Sequence, residues 1–262
     1  MSMNVNFSKY HGCGNDFILI DAREPFPVLS GERIAQLCNR RFGIGADGLI
    51  LLTTEDGYDF RMVYYNADGG RSTMCGNGGR CITAFAQQLG LRGPHYRFMA
   101  EDGPHEADLL NNGAVCLKMK DVEKVGEIGG RIFLDTGSPH VVEVVDGLSD
   151  FDVCLQGRSI RNSAPFKEKG TNVNFVERDA DGIFVRTYER GVEDETLSCG
   201  TGVTAAALAA AHRGWIAADS SFCAVRTPGG ALRVRFRRSG DGFSDVWLEG
   251  PAVHVFDGSF SL

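Results

Sequence analysis

Hydrophobic and polar positions along the chain alternate in short runs far more often than they recur at helical spacing. The clearest run is 231–237, where Leu232, Val234 and Phe236 alternate with Arg233, Arg235 and Arg237. A period of two puts one face into a core and the other, cationic, into water. Residues 61–65, 114–122, 141–145, 183–188 and 246–249 have the same β-rich, bounded character and are expected as strands. Three stretches predict helices. Residues 30–41 set Ile34, Leu37 and Cys38 on one stripe behind Ser30, a hydroxyl suited to an N-cap. Residues 78–89 and 201–213 have apolar or alanine-rich bodies and stop at Gly90 and Gly214, each suited to the left-handed position after a helix. Many short strands with few helices predict an α+β fold.

The last two helices begin alike. Cys75-Gly76-Asn77-Gly78 opens one and Cys199-Gly200-Thr201-Gly202 the other. A polar turn leaving a strand precedes each, Asn66-Ala67-Asp68-Gly69-Gly70 before the first and Glu189-Arg190-Gly191 before the second. This internal repeat implies two similar halves, joined in the Gly-, Asn- and charge-rich stretches around 103–113 or 120–130. The expected division is 1–118, carrying Cys75, and 119–250, carrying Cys199.

Composition narrows the setting. With 262 residues, 43% hydrophobic and 23% charged, the chain can bury two cores and is unlike disordered, collagenous or coiled-coil sequences. No apolar run reaches the roughly 18 residues of a membrane span, and residues 1–7 lack the basic and apolar regions of a secretory signal, so a cytoplasmic location is expected. A formal charge of −7 argues against a nucleic-acid partner, which would call for a basic footprint. The eight cysteines include no C-x-x-C pair, and His11/Cys13 and Cys75/Cys81 do not fit two-plus-two zinc spacing. No metal is expected. Cys38, Cys116, Cys154 and Cys223 lie in apolar patterns and read as small buried hydrophobes; His11 and Cys13 read as loop packing.

A cysteine immediately before a helix sits where unpaired N–H groups and the positive end of the dipole favour thiolate over thiol. Flanking glycines let a ligand approach the backbone, and the same N–H groups can hold a carboxylate. One copy is weak evidence; two change the odds. If the halves pack about a pseudo-two-fold axis, two sulfurs face one molecule from opposite sides, one able to remove a proton from a stereocentre and the other to return it on the opposite face. That is a two-base racemase arrangement, with N–H groups aimed where charge grows on the substrate carboxylate.

The ordered motifs Lys9-Tyr10-His11-Gly12-Cys13-Gly14-Asn15-Asp16-Phe17, Gly43-Ile44-Gly45-Ala46-Asp47-Gly48, Asn66-Ala67-Asp68-Gly69, Cys75-Gly76-Asn77-Gly78, Gly137-Ser138-Pro139-His140, Asn172-Val173-Asn174-Phe175, Glu189-Arg190-Gly191 and Cys199-Gly200-Thr201-Gly202 run through nearly the whole chain. Together they resemble diaminopimelate epimerase, the cofactor-independent family that interconverts L,L- and meso-diaminopimelate for lysine and peptidoglycan synthesis. The resemblance implies two pseudo-symmetric halves, each a mixed β-sheet wrapped around a central helix, with the C-terminal strand, about 251–262, able to return to the first half. It implies no cofactor, a small-molecule substrate and a homodimer. It places Cys75 and Cys199 as the two bases and His140 and Glu189 as groups that assist them or receive the substrate ammonium. Gly76 with Asn77, and Gly200 with Thr201, become the cradle for the reacting carboxylate. Asn15, Asn66, Asn172 and Arg190, with Glu189, hold the substrate, mainly its far end. Two positions depart from the family pattern, Ser138 where many members have Asn and Gly48 where some have Gln.

Other readings use the residues less completely. A proline or hydroxyproline racemase of the same architecture shares the paired cysteines but would leave Arg190 and the asparagines unmatched, at about 1 to 3 kcal/mol for each buried group. A phenazine-pathway isomerase would not be expected to keep both cysteines. A cysteine-nucleophile acyl-transfer enzyme with Cys75 and His140 leaves Cys199 idle, and a redox-responsive interaction module leaves the duplicated glycine turns unexplained.

Overall fold

The structure, a computed structural model, describes residues 3–262. The chain divides into two compact units, Met1–Leu117 with Gly250–Leu262, and Lys118–Glu249.

The first unit begins with β1 (Asn4–Gly12) and β2 (Asn15–Asp21), then α1 (Gly31–Cys38), β3 (Gly48–Thr53), β4 (Phe60–Asn66) and the short β5 (Arg71–Ser72). It continues through α2 (Gly76–Gln88), β6 (His95–Ala100), β7 (Gly103–Leu109) and β8 (Val115–Lys118). Pairing along this run is antiparallel for β1/β2, parallel for β2/β3, antiparallel for β3/β4, parallel for β4/β6 and antiparallel for β6/β7 and β7/β8. The C-terminal strand Val253–Ser261 returns antiparallel to β1. Strands β2 and β3 are buried on both faces and therefore read as continuous apolar runs. Ile18, Ile20, Leu49 and Leu51 meet Ile34 and Leu37 of α1, whereas Phe17 and Ile50 turn towards α2, where they line Gly78.

The second unit contains β9 (Gly126–Ile128), β10 (Arg131–Asp135), β11 (Pro139–Val144), α3 (Val153–Arg161), β12 (Asn172–Asp179) and β13 (Gly182–Glu189). The short β14 (Asp194–Thr196), α4 (Gly200–His212), β15 (Phe222–Thr227), β16 (Gly230–Ser239) and β17 (Gly242–Gly250) follow. The same alternation recurs: β10/β11 antiparallel, β11/β12 parallel, β12/β13 antiparallel, β13/β15 parallel, β15/β16 and β16/β17 antiparallel. α1 and α3 fill the first crossover of each unit, and α2 and α4 the second. Each unit is thus a mixed sheet around one central helix, packed against strands β1, β2, β3 and β7 for α2 and β10 to β13, β15 and β16 for α4. α4 is apolar all round and, Thr201 aside, buried from Gly200 to Ala211, as a helix enclosed by a sheet must be.

Several local expectations need correction. Helix α1 stops at Cys38, short of residue 41, because the Asn39 carboxamide accepts from the N–H groups of Arg41 and Phe42 and turns the chain. The strand expected over 114–122 ends at Lys118, leaving a single bridge between Val122 and Phe243. Within the stretch 103–113, read as a joint, residues 103–109 form β7, an interior strand of the first sheet. α3 was not anticipated: its buried apolar residues are only Val153 and Ile160, with Gly157 pressed against Tyr188, and its one local signal is the Asp152 carboxylate that caps Leu155 N–H. Cys154 is not a buried hydrophobe but half-buried, its thiol donating to Asp194 Oδ1 at 2.8 Å. Cys38, Cys116 and Cys223 are buried. Among the described residues no helix is long and apolar enough to cross a membrane.

Candidate active site

In the first unit Cys75 is the N-cap residue of α2, in extended conformation, and its carbonyl accepts the first helical bond from Gly79 N–H at 2.7 Å. The N–H groups of Gly76, Asn77 and Gly78 precede that first bond and crowd around the cysteine. The start of α2 packs closely into the core: a Cβ would stand 3.1 Å from the side-chain tips of Ile50 and Met62 at Gly78, and 3.1 Å from Leu117 at Gly79.

The β1/β2 hairpin delivers Asn15. Its two-residue turn holds Cys13 at φ 53° and Gly14 at φ 86°, the left-handed pair a tight hairpin needs. Asn15 Oδ1 then accepts from the Cys75 thiol at 3.7 Å and from Asn77 Nδ2 at 3.2 Å, while Asn15 Nδ2 donates to Asp47 at 2.8 Å. Asp47 is held by Arg40, which also grips Asp16. Burial alone would raise the Asp16 carboxyl, but hydrogen bonds from Arg40 and Lys9 hold it well below the usual carboxylate range. Behind Asn77 lies Arg80, fully buried, donating to Asn77 Oδ1 at 2.8 Å and to Gly76 O at 3.1 Å. Asn66 ends β4, exposed, and its backbone closes the turn with Gly69 and Gly70 at 2.9 Å; its described hydrogen bonds stay within that turn. Gly48 has no room for a side chain, since a Cβ would lie 2.5 Å from the Tyr64 ring.

In the second unit Cys199 caps α4 in the same extended conformation, with Val203 N–H bonded to its carbonyl at 2.8 Å. Gly200, Thr201 and Gly202 supply the equivalent N–H groups, and Thr201 Oγ1 lies 3.5 Å from the Cys199 sulfur. Glu189 ends β13 beside it. Burial pushes the Glu189 carboxyl up, against the opposing effect of hydrogen bonds from Thr196 and Cys199. Arg190 follows, exposed, its N–H donated to Asn172 Oδ1 at 2.8 Å. His140 lies on β11, wholly buried, between the carboxamides of Asn174 (Nδ2 to Nδ1, 3.0 Å) and Asn172 (Nδ2 to Nε2, 3.5 Å). Burial drives its pKa down to about 3 against the pull of Asp135, so the ring is neutral.

Each cysteine therefore stands at a glycine-bordered helix start beside a polar acceptor, with Asn15 and Asn77 at Cys75, and Glu189 and Thr201 at Cys199. Sequence reasoning missed Arg80 and Asn174. An arginine beside a glycine motif reads as surface, and only the burial of α2 reveals otherwise. Asn174 was visible two residues along the strand from Asn172, on the same face.

The sequence profile for diaminopimelate epimerase matches residues 7–125 and 132–255. The chain belongs to the diaminopimelate epimerase family. The diaminopimelate epimerase of Flavobacterium psychrophilum is 49% identical over 95% of this chain and 97% of its own length, and that of Chlorobaculum tepidum 46% identical over 96% and 99%. Solved structures with the same fold include a PhzF-family phenazine biosynthesis protein of Bacillus anthracis, TM-score 0.73 at 14% identity over 98% of this chain and 99% of that one. A hydroxyproline epimerase of Agrobacterium vitis has TM-score 0.67 at 15% identity, covering 99% of this chain and 93% of the other. In this isomerase family the two helix-start cysteines acquire a chemical context.

Proposed function

We propose that this chain performs its family's reaction, conversion of L,L- to meso-diaminopimelate, with Cys75 and Cys199 as bases on opposite faces of the α-carbon. The observation that carries the reading is the duplicated helix start: two thiols, each N-capping a buried helix behind Gly-x-Gly, one in each unit. One sulfur, as thiolate, takes the α-proton; the resulting carbanion takes a proton from the other sulfur, so the reaction begins and ends with one thiol and one thiolate. Gly76, Asn77, Gly200 and Thr201 offer N–H donors to the reacting carboxylate, aimed where negative charge develops. Glu189, disfavoured as a carboxylate by burial and hydrogen-bonded by Cys199, accepts the thiol proton and leaves a thiolate. His140 assists from within the second unit. Arg190 grips the distal carboxylate, as its planar fork allows, and Asn15, Asn66 and Asn172 donate to carboxylate or accept from ammonium.

The reading extends to a cytoplasmic homodimer. The C-terminal strand carries Val253, Val255 and Phe256 exposed, an apolar strand surface of the kind a second copy covers. The test of function is turnover in deuterium oxide with L,L-diaminopimelate, proline and glutamate in parallel. Deuterium entering the α-position of diaminopimelate alone is expected; exchange into proline alone would move the assignment to the racemases, and exchange into none would overturn it.

A further inference from the structure

The amide of Asn174 is oriented by a carbonyl that has no choice of role. Its Nδ2 lies 3.0 Å from Val141 O, which can only accept, and its Oδ1 lies 3.0 Å from Thr187 Oγ1, which donates to it. The reversed amide would set two oxygens 3.0 Å apart. Nδ2 therefore carries the second of its hydrogens to His140 Nδ1 at 3.0 Å, and that ring nitrogen must offer a lone pair. Asn172 is oriented just as firmly, because its Oδ1 accepts from Arg190 N–H and its Nδ2 donates to Pro139 O at 3.2 Å. His140 Nε2 faces this second amino group at 3.5 Å, too far for a strong bond and with the wrong polarity to take the ring's proton.

The opposite tautomer would place Nδ1–H against the Asn174 amino group at the shorter distance and forfeit the 3.0 Å bond. An imidazolium would do the same and add a buried charge. The charged groups whose fields reach the ring are Asp135 and Arg190, of opposite sign.

From this geometry we propose that Asn174 is a positioning residue that holds His140 as its Nε2–H tautomer, so that the histidine enters the epimerisation as a hydrogen-bond donor and not as a base. The inference rests on the reading of His140 as an assistant to the thiols. A neutral N–H donor stabilises a thiolate and leaves the proton count of the sulfur pair unchanged, whereas Glu189, a carboxyl, can accept a proton outright. The two assistants then differ in kind, and proton acceptance belongs to the Cys199 side. Gly202 belongs to the same device, because any Cβ there would stand 2.3 Å from Asn174 Oδ1.

The test is nitrogen-15 NMR of histidine-labelled protein, with the His140 signals assigned by their loss in His140→Gln. The expected spectrum of the free enzyme has Nδ1 unprotonated and Nε2 protonated, unchanged between pH 5 and pH 9, a range that begins about 2 pH units above the value of about 3 to which burial drives the ring. A protonated Nδ1, a tautomer mixture, or titration within that range overturns the proposal. Asn174→Asp offers Nδ1 an acceptor; its expected spectrum has Nδ1 protonated, with kcat falling about 10- to 100-fold, as for a lost hydrogen bond to a charged group, KM within about twofold, and a new acid limb in kcat/KM. A folded Asn174→Asp protein with an unchanged His140 spectrum and pH profile overturns it as well. Should this variant not fold, the wild-type spectrum still decides. The spectra are read without turnover, so failure of the functional reading shows separately, as absence of deuterium exchange.

Discussion

Gly78 and Gly202 hold the same place in the two helix starts, three residues after the cysteine, yet alanine should be received very differently at each. At Gly78 the new methyl would meet Ile50 Cδ1 and Met62 Cε at 3.1 Å, the mobile tips of flexible side chains. A shift of a few tenths of an ångström relieves the contact, and the helix gains up to about 1 kcal/mol of alanine propensity. At Gly202 the methyl would stand 2.3 Å from Asn174 Oδ1, with Cys199 Cβ and Thr187 Oγ1 both at 3.3 Å. Nothing there can yield except the Asn174 amide. Displacing it puts three hydrogen bonds at risk, to Val141 O, His140 Nδ1 and Thr187 Oγ1, each contributing about 1 kcal/mol, while overpacking adds about 1 to 3 kcal/mol. Set against the propensity gain of up to about 1 kcal/mol, the net cost is about 3 to 5 kcal/mol, and at about 2 to 4 °C per kcal/mol for a chain of this size the melting point should drop by about 6 to 20 °C. Gly78→Ala should melt within about 3 °C of wild type, since its terms nearly cancel. Paired thermal melts and epimerisation rates measure both effects. Equal melting of the two variants, or full activity in Gly202→Ala, would refute the argument that the second helix start is closed around Asn174.

The other predictions concern charge and sulfur. Cys75→Ala and Cys199→Ala should each lower kcat by about 100-fold or more with melting unchanged, and the double variant should be little worse than either single one because the pair acts as a unit; substantial epimerisation by one variant would rule out two bases. Glu189→Gln should lose activity and gain stability at neutral pH. A buried carboxyl raised above its unfolded value binds more protons folded than unfolded across the interval between the two, so stability falls as pH rises through that interval. Chemical unfolding at several pH values should show this decline in wild type and not in the variant. Arg80→Gln removes a charged donor from Asn77 Oδ1, a bond of about 1.5 to 3 kcal/mol, so kcat/KM should drop about 10- to 100-fold; an unchanged value would show Asn77 to be oriented by other means. Cys154→Ser, distant in function from both helix starts, should leave turnover intact while removing a half-buried thiol from alkylation counts.

How much of this was legible beforehand follows from the range of each interaction. Helix starts, caps and alternation are local, so Ser30, the two Cys-Gly-x-Gly turns and the 231–237 strand could be read directly. The duplication was visible because it repeats local features in the same order. What escaped depends on contacts distant in sequence. Arg80 is surface-like by type but is fully buried by a helix that the sheet encloses. The surroundings of His140 are equally non-local, since parallel pairing of β11 with β12 sets it directly opposite Asn172. α3 was hidden because its packing relies on a glycine against Tyr188 instead of an apolar stripe.

The duplication also shows where two halves of one ancestor-like plan must part. Backbone geometry is shared, since both cysteines need an extended N-cap and exposed N–H groups, and those constraints act identically on Cys75 and Cys199. Side-chain chemistry is not shared. The Cys75 thiol donates to the neutral Asn15 amide, which can steady a proton but not remove it, whereas the Cys199 thiol bonds a carboxyl already disfavoured as an anion. A reaction that needs one sulfur protonated and the other bare gains from that difference, because identical surroundings would leave the two mixed protonation states equally populated. The asymmetry predicts that the free enzyme rests with the N-terminal thiol protonated and that selective alkylation near neutral pH begins at Cys199. Mass spectrometry of partially alkylated enzyme would show which sulfur reacts first, and preferential loss of the Cys75 thiol would overturn this order.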